Sequence, residues 1–428
     1  MIKQPLKSGF TTGTCGAAAA KAAAVCLLTG EILSQVEIVT PKGVAANLEV
    51  ELVARGETAA CCRVQKDAGD DPDVTNGAWV YGTVEQISSE PEDVWYQSED
   101  DPHLYLTGGE GVGLVTKPGL SCPVGKHAIN PVPRKMIFGA VEEICEQMDC
   151  GEMLLIRISI PQGVELAAST FNPKLGITGG ISVLGTSGIV EPMSEQALLD
   201  TIRLEIHMKA VAGVKHMILT PGNYGENFLR EELKLSLNQA VKCSNFVADA
   251  MKIAAEEGMD KVLFVGHIGK LVKVAGGVEN THSKYGDRRM EILADCWRTV
   301  ACGSSSKTEM LKNQIKGSQL PDMMELKRND LGSSVPEVTQ LETQLLGSNT
   351  TEEALNYLQA ANCRDSVMEE AGRRIRFFLR SWSGTTTGET MEVEVVTFST
   401  NLGILYKSSG TDALIKRWKT EELSHDTD

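Results

Sequence analysis

A chain of 428 residues, 42% of them hydrophobic, is too long for one core of ordinary size and apolar enough to fill two, so two domains are expected. A formal charge of −16 with 5% aromatic residues argues against a nucleic-acid surface, which needs clustered Lys and Arg and stacking faces, but leaves room for a small anionic ligand held by a few local cations. The longest apolar runs, such as Met153 to Ile156 and Val262 to Val265, fall far short of the roughly 20 residues a bilayer crossing requires, so no membrane attachment is expected.

The N-terminus MIKQPLKSGFTTGTC lacks the apolar core of a secretory signal, and the 11 cysteines are scattered without a CxxC or CxxH pair. A cytoplasmic chain with reduced thiols and no resident metal is the expectation. From residue 13, GTCGAAAAKAAAVCLLTG reads as an alanine-dominated helix with Thr11, Thr12 or Thr14 as N-cap and Gly30 as its stop. VEIVTP and ANLEVELVA, separated by Lys42 and Gly43, suit a hairpin and forecast antiparallel sheet early in the chain. KDAGDDPDVTNG is a loop; its aspartates lack the ligand order and terminal Glu of an EF-hand. NPVPRKMIFGAVEEICEQM starts with prolines and continues as an amphipathic helix, followed by the strand MLLIRISIP.

Beyond Gly179 helix-length segments alternate with short apolar runs: SEQALLDTIRLEIHMKAVAG, HMILTPG, the 235–257 region and KVLFVGHIG. Such alternation predicts a parallel sheet with helices on both faces, and ligands lie beyond the carboxyl ends of such strands. The expected fold is therefore α/β: an α+β domain over 1–170 with a mainly antiparallel sheet, joined by a C-terminal strand at 391–407, and a Rossmann-like domain over 171–390 with helical decoration around 300–360. The tail TEELSHDTD is expected to fray.

Several stretches suit ligand binding. Thr11, Thr12 and Thr14 offer more hydroxyls than one cap needs at a helix N-terminus, where free amides attract a carboxylate. Cys15 beside them is read as a buried structural thiol. Gly111 and Gly113 follow a strand as in many methyltransferases, yet the next residues look extended instead of helical. STFNPKLGITGGISVLGTSGIVEPMS concentrates Gly179, Gly180 and Gly185 with the amide of Asn172 and the cation of Lys174, a pattern that serves either close backbone approach to a ligand or tight sheet corners. HMILT runs into Asn223, Tyr224 and Gly225, and KVLFV into His267, Gly269 and Lys270. GHIGKL lacks the Ser or Thr of a phosphate loop, which weakens a nucleotide-binding alternative; a non-catalytic tetrapyrrole carrier is the other rival. His267 and His282, both in loops, are the base candidates.

The runs GFTTGTCGAAAAKAA, GEGVGLVTKPGL, INPVPRKMI, STFNPKLGITGGISVLGTSGIVEPMS, TPGNYG, KCSNFVADA, FVGHIGKLVKVAGG, NTHSKYGDRRMEIL and STNLGILYKS, taken in order, resemble the CbiD family. Gly16 within the alanine run, and Gly286 with Arg288, depart from the family pattern; residues 298–390 add almost nothing to the resemblance. The resemblance implies methylation of cobalt-precorrin-5B at carbon 1 to give cobalt-precorrin-6A, with S-adenosylmethionine as donor and cobalt present only within the substrate. It implies an anionic corrinoid as partner, no covalent enzyme intermediate, and leaves homo-oligomerisation open. On this reading the 222–225 and 266–270 loops line a cofactor or substrate cleft with the 172–188 segment.

Overall fold

The computed structural model describes residues 6–91, 95–237, 240–301, 335–384 and 391–425. The chain divides into two compact units, Met1–Leu198 and Leu199–Asp428. Both are mixtures of helix and strand, so the chain is α/β as expected.

In the first unit the alanine-rich segment forms helix α1 (Thr12–Thr29), capped by Thr11 and closed by Gly30 in the left-handed region. Among the described residues it is long and apolar enough to cross a membrane by length and composition, and 78% of it is buried inside the unit. The hairpin pairs β1 (Gln35–Val39) with β2 (Ala45–Glu49) in antiparallel register. A six-stranded sheet follows: β3 (Glu51–Arg55), β4 (Ala59–Gln65), β5 (Trp79–Ile87), β6 (Tyr96–Gln97), β7 (Leu104–Gly108) and β9 (Met153–Ser159), in spatial order β3-β4-β5-β9-β7-β6. It is antiparallel apart from the β9–β7 pair.

Helix α2 (Pro131–Met148), begun by its prolines, packs with α1 against this sheet. The alanines explain why α1 lies so close: a Cβ on Gly82 of β5 would sit 2.4 Å from the backbone nitrogen of Ala20. Side chains larger than methyl on α1, or any on Gly82, would push helix and sheet apart. Two short strands, β8 (Gly111–Val112) and β10 (Gly180–Ile181), pair in parallel.

The 171–190 segment thus belongs to the first unit, contrary to the boundary expected at residue 170. Its strand β10 and the loop after it find their hydrogen-bond partners on β8 and on the start of α1.

In the second unit, which begins within α3 (Glu195–Val211), the expected alternation appears. Strand β11 (His216–Thr220) leads to α4 (Asn223–Glu231), β12 (Ala240–Lys242), α5 (Val247–Glu256), β13 (Lys261–His267), α6 (Ile268–Ala275) and α7 (Arg289–Ala301). After α8 (Val335–Leu346), α9 (Thr351–Ala360) and α10 (Arg364–Trp382) come β14 (Glu392–Ser399), β15 (Gly403–Lys407) and α11 (Thr411–His425). The sheet order is β12-β11-β13-β14-β15, parallel except for the β14–β15 hairpin.

Two expectations are corrected here. The C-terminal strand does not join the first unit: β14 is buried from Val393 to Ser399 and pairs along its length with β13. It is covered on both faces as parallel strands are, and takes its buried Glu394 with it, paired with Arg376 and the Ser408 hydroxyl. Nor are the late helices decoration. Leu345, Leu355, Leu358, Val367, Ile375 and Leu379 are fully buried in the same core as Val262 and Phe264. Most of the polar region expected to decorate the fold, residues 302–334, lies outside the described residues, as do 426–428 of the tail; before them the tail continues α11 to His425.

Replacing Gly82 by Ala is expected to destabilise the chain by about 1–3 kcal/mol through overpacking against α1. The midpoint of denaturant unfolding checks this, and an unchanged midpoint would show that helix and sheet have slack between them.

Candidate functional site

The first unit uses most of its candidates internally. Thr11 caps α1 by accepting from the Thr14 amide, and the Thr14 hydroxyl donates to the Gly188 carbonyl at 2.6 Å. The Thr12 hydroxyl donates to the Leu184 carbonyl and accepts from the Leu184 amide, while the Gly13 amide donates to that same carbonyl. All three threonines are buried. The hydroxyls and amides that a carboxylate would use therefore fasten the 184–188 loop to the helix start. Gly185 fits because a Cβ there would strike the Thr11 side chain at 2.3 Å.

Gly111, Gly113 and Gly180 likewise meet one another across the β8–β10 pair, where a Cβ on Gly180 would lie 2.2 Å from the Gly111 carbonyl oxygen. Buried Asn172 accepts from the amide and hydroxyl of Ser182 and donates to Thr170. Lys174 and Gly179 remain exposed, Lys174 over the Phe171 ring. Cys15 is fully buried and burial pushes its thiol up to about 12, so it stays protonated at neutral pH.

The second unit brings its candidates together. From β11 the chain crosses to β12 on one side, then returns to β13 on the other, so β11 and β13 flank a topological switch point. The chain leaving these strands must diverge there, and where the sequence suggested loops it starts helices at once: α4 carries Asn223, Tyr224 and Gly225 on one side, while on the other His267 ends β13 and α6 carries Gly269 and Lys270. Gly225 lets α4 start hard against β11, since its Cβ would collide with the Thr220 hydroxyl at 1.7 Å. The Lys270 ammonium donates to the Pro221 carbonyl at 2.9 Å and so ties the two connections. The rings of Tyr224 and His267 are 5.9 Å apart, and Phe398 of β14 meets His267 edge-on at 5.6 Å. Asn223 is oriented by Lys242, which also pairs with Glu226.

Sequence reasoning missed one residue here. Glu352, in the first turn of α9, stands with Oε1 at 3.8 Å from His267 Nε2 and accepts from the Ser399 hydroxyl of β14. Glu352 comes 85 residues after His267 in the chain and carries no motif of its own; only the packing of α9 beside Gly269 puts it at the switch point.

Lys270 is placed against its own stability. It lies in the first turn of α6, which contains no acidic residue, at the positive end of the helix dipole. It is partly buried, and burial, reinforced by neighbouring Lys273, pushes its ammonium below the ordinary lysine value. Lys273 is itself 6% exposed and donates to the carbonyls of Thr281 and Gly286. Among the described residues, neither lysine makes a salt bridge to a carboxylate. A bound anion would offset what the fold leaves uncompensated.

The histidines are set up differently from what base catalysis requires. His267 is the N-cap of α6, its Nδ1 accepting from the Gly269 amide at 3.0 Å; His282 caps a short turn by accepting from the Lys284 amide at 3.0 Å. With Nδ1 occupied as acceptor, the neutral ring carries its proton on Nε2 and presents a donor. Each histidine is thus arranged to give a hydrogen bond and not to take a proton. His282 is exposed, on a segment pinned to the loop after β12 by Thr281 and Asn245.

The second unit is thus an α/β domain whose switch point gathers a partly buried cation, an imidazole and two aromatic rings at one edge of the sheet. Among the described residues no group of three or more His, Cys, Asp or Glu is arranged to hold a metal ion. Comparison with known proteins gives the family. The CbiD model matches residues 2–192 and the CbiD C-terminal domain model residues 338–409. A curated relative from Alkaliphilus metalliredigens, named cobalt-precorrin-5B C(1)-methyltransferase, is 48% identical over 289 residues, covering 68% of this chain and 73% of its own. One of the same name from Clostridioides difficile is 35% identical over 433 residues, covering 96% of both. Among solved structures, the crystal structure of the cobalamin biosynthesis protein CbiD from Archaeoglobus fulgidus is 27% identical, covers 63% of this chain and 80% of its own, and superposes with a TM-score of 0.35. The chain belongs to the CbiD family.

Burial holds His267 below its ordinary value of 6.5, with Glu352 opposing in part. The unfolded chain therefore binds more protons than the folded one as pH falls through and below 6.5, so this residue's contribution makes stability fall with falling pH there. His267→Asn, which keeps a capping acceptor, is expected to reduce that slope at little cost in stability, whereas His267→Ala should cost about 1 kcal/mol through loss of the cap. Urea unfolding between mildly acidic and neutral pH measures both; equal slopes in the wild type and the Asn variant would rule the effect out.

Proposed function

We propose that this chain methylates carbon 1 of cobalt-precorrin-5B, giving cobalt-precorrin-6A, with S-adenosylmethionine as methyl donor, and that it does so in the cytoplasm. The shared name of its curated relatives supports the reaction. The structural observation that carries the reading is the uncompensated Lys270 at the β11–β13 switch point, a site suited to a carboxylate-bearing reactant. The donor supplies an electrophilic methyl group, and attack on it is an in-line displacement that needs alignment above all.

The protein's part follows from its donors. Lys270 holds an anionic substituent by charge. Asn223, itself held by Lys242, would contribute an amide and Tyr224, beside His267, a ring face to a flat reactant. The Nε2–H of His267 donates toward the crevice and fixes orientation without becoming charged. Buried Cys15 and the capping histidines provide no nucleophile, in keeping with direct transfer.

The purified chain with methyl-labelled S-adenosylmethionine and cobalt-precorrin-5B is expected to put one label on the macrocycle. Binding without label transfer would point to a carrier and defeat the proposal. Lys270→Ala removes a charge-assisted contact of about 1.5–3 kcal/mol, so KM for the macrocycle is expected to rise roughly ten- to a hundredfold with a smaller change in kcat. Steady-state kinetics checks it, and an unaltered KM would free Lys270 of this role.

A further inference from the structure

Transfer of a methyl group from a sulfonium donor to a neutral carbon acceptor leaves one positive charge to be lost as a proton. The electron pair of the macrocycle forms the new carbon–carbon bond, the S–C pair stays on sulfur, and the macrocycle then releases one proton. Something at the site must receive it, and the groups nearest the switch point are unequal to the task. His267 and His282 hold Nδ1 as an acceptor and Nε2 protonated. Lys270 is a cation. Glu226 is paired with Lys242 at 2.8 Å.

The geometry points to Glu352 as the proton acceptor, an inference that rests on the methyl-transfer reading above. Its Oε1 is held by the Ser399 hydroxyl from β14 and faces His267 from β13, while among the described residues its Oε2 makes no hydrogen bond. The side chain is 29% exposed, open enough to meet a ligand and covered enough to keep one orientation. Around it, the titratable groups are His267 across the crevice and Glu353 on its own helix, whose carboxylate is turned away to cap the Asn349 amide. Ser399 and Thr351 complete the neighbours, Thr351 lying against Gly269 at the start of α6. A carboxylate with one oxygen fixed and the other open accepts a proton on Oε2 without disturbing either helix cap.

The test uses the full chain with labelled donor and cobalt-precorrin-5B. Glu352→Gln keeps the Ser399 contact and removes the basic oxygen; kcat is expected to drop at least about a hundredfold with KM values within about threefold. Glu352→Ala removes the carboxylate altogether, and added formate, a small carboxylate that can enter the vacated space, is expected to restore at least about tenfold of the kcat it loses. A Glu352→Gln enzyme with kcat within about threefold of wild type, or with its loss confined to KM, overturns the inference while leaving the methyl-transfer reading intact. If that variant does not fold, Glu352→Ala with and without formate decides, and a kcat that formate leaves unchanged overturns the inference. A wild-type chain that transfers no label defeats the reading and the inference with it.

Discussion

The parallel pairing of β11 with β13, with the intervening chain sent to β12 on the far side of β11, is the constraint from which the rest of the site follows. Parallel neighbours cannot be joined by a tight turn, so each strand ends in a loop that opens a helix. At the switch point two such connections leave in opposite directions, and the starts of α4 and α6 come together at one edge of the sheet. Gly225 and Gly269 permit the close approach, Lys270 ties the connections, and α9 brings Glu352 to the same edge.

The two units use the same physics to opposite ends. A helix N-terminus with surplus threonines looks like an anion site, yet α1 satisfies its own first amides and hydroxyls with the carbonyls of Leu184 and Gly188. Its small side chains and its cap serve close packing against the sheet. The start of α6 has no acidic residue in its first turn and holds a lysine where a helix dipole disfavours one. The first arrangement satisfies its own helix start, whereas the second leaves Lys270 with a carbonyl partner and, among the described residues, no carboxylate.

Much of the fold was legible because local patterns follow directly from backbone geometry. The alanine run with its Thr and Gly stops gave α1, the alternating VEIV and ANLE gave the β1–β2 hairpin, and the apolar runs HMILT and KVLFV between amphipathic segments gave the doubly wound sheet. The placement of EVEVVTFS was misread, because β-branched and aromatic residues state that a segment is a strand and not which sheet takes it. The boundary near residue 170 was misread for a related reason: the glycines that let β10 and its following loop dock on β8 and α1 state that backbone comes close to something, and not to which domain it belongs.

The site divides along the same line. Sequence alone determined that Asn223, Tyr224, His267, Gly269 and Lys270 lie at strand ends, since hydrophobic period is a property of neighbouring residues, though it read as loops what the structure folds into the last residue of β13 and the first turns of α4 and α6. It also carried the family resemblance, which is spread over many ordered runs. Only the tertiary structure decided that the 220s and 260s segments meet, that Nδ1 of both candidate bases is occupied, and that Glu352 faces His267 across 85 positions of chain. Those are facts about which hydrogen-bond partner each group finds once the backbone has closed on itself. A linear sequence lists the donors and acceptors, and only folding pairs them.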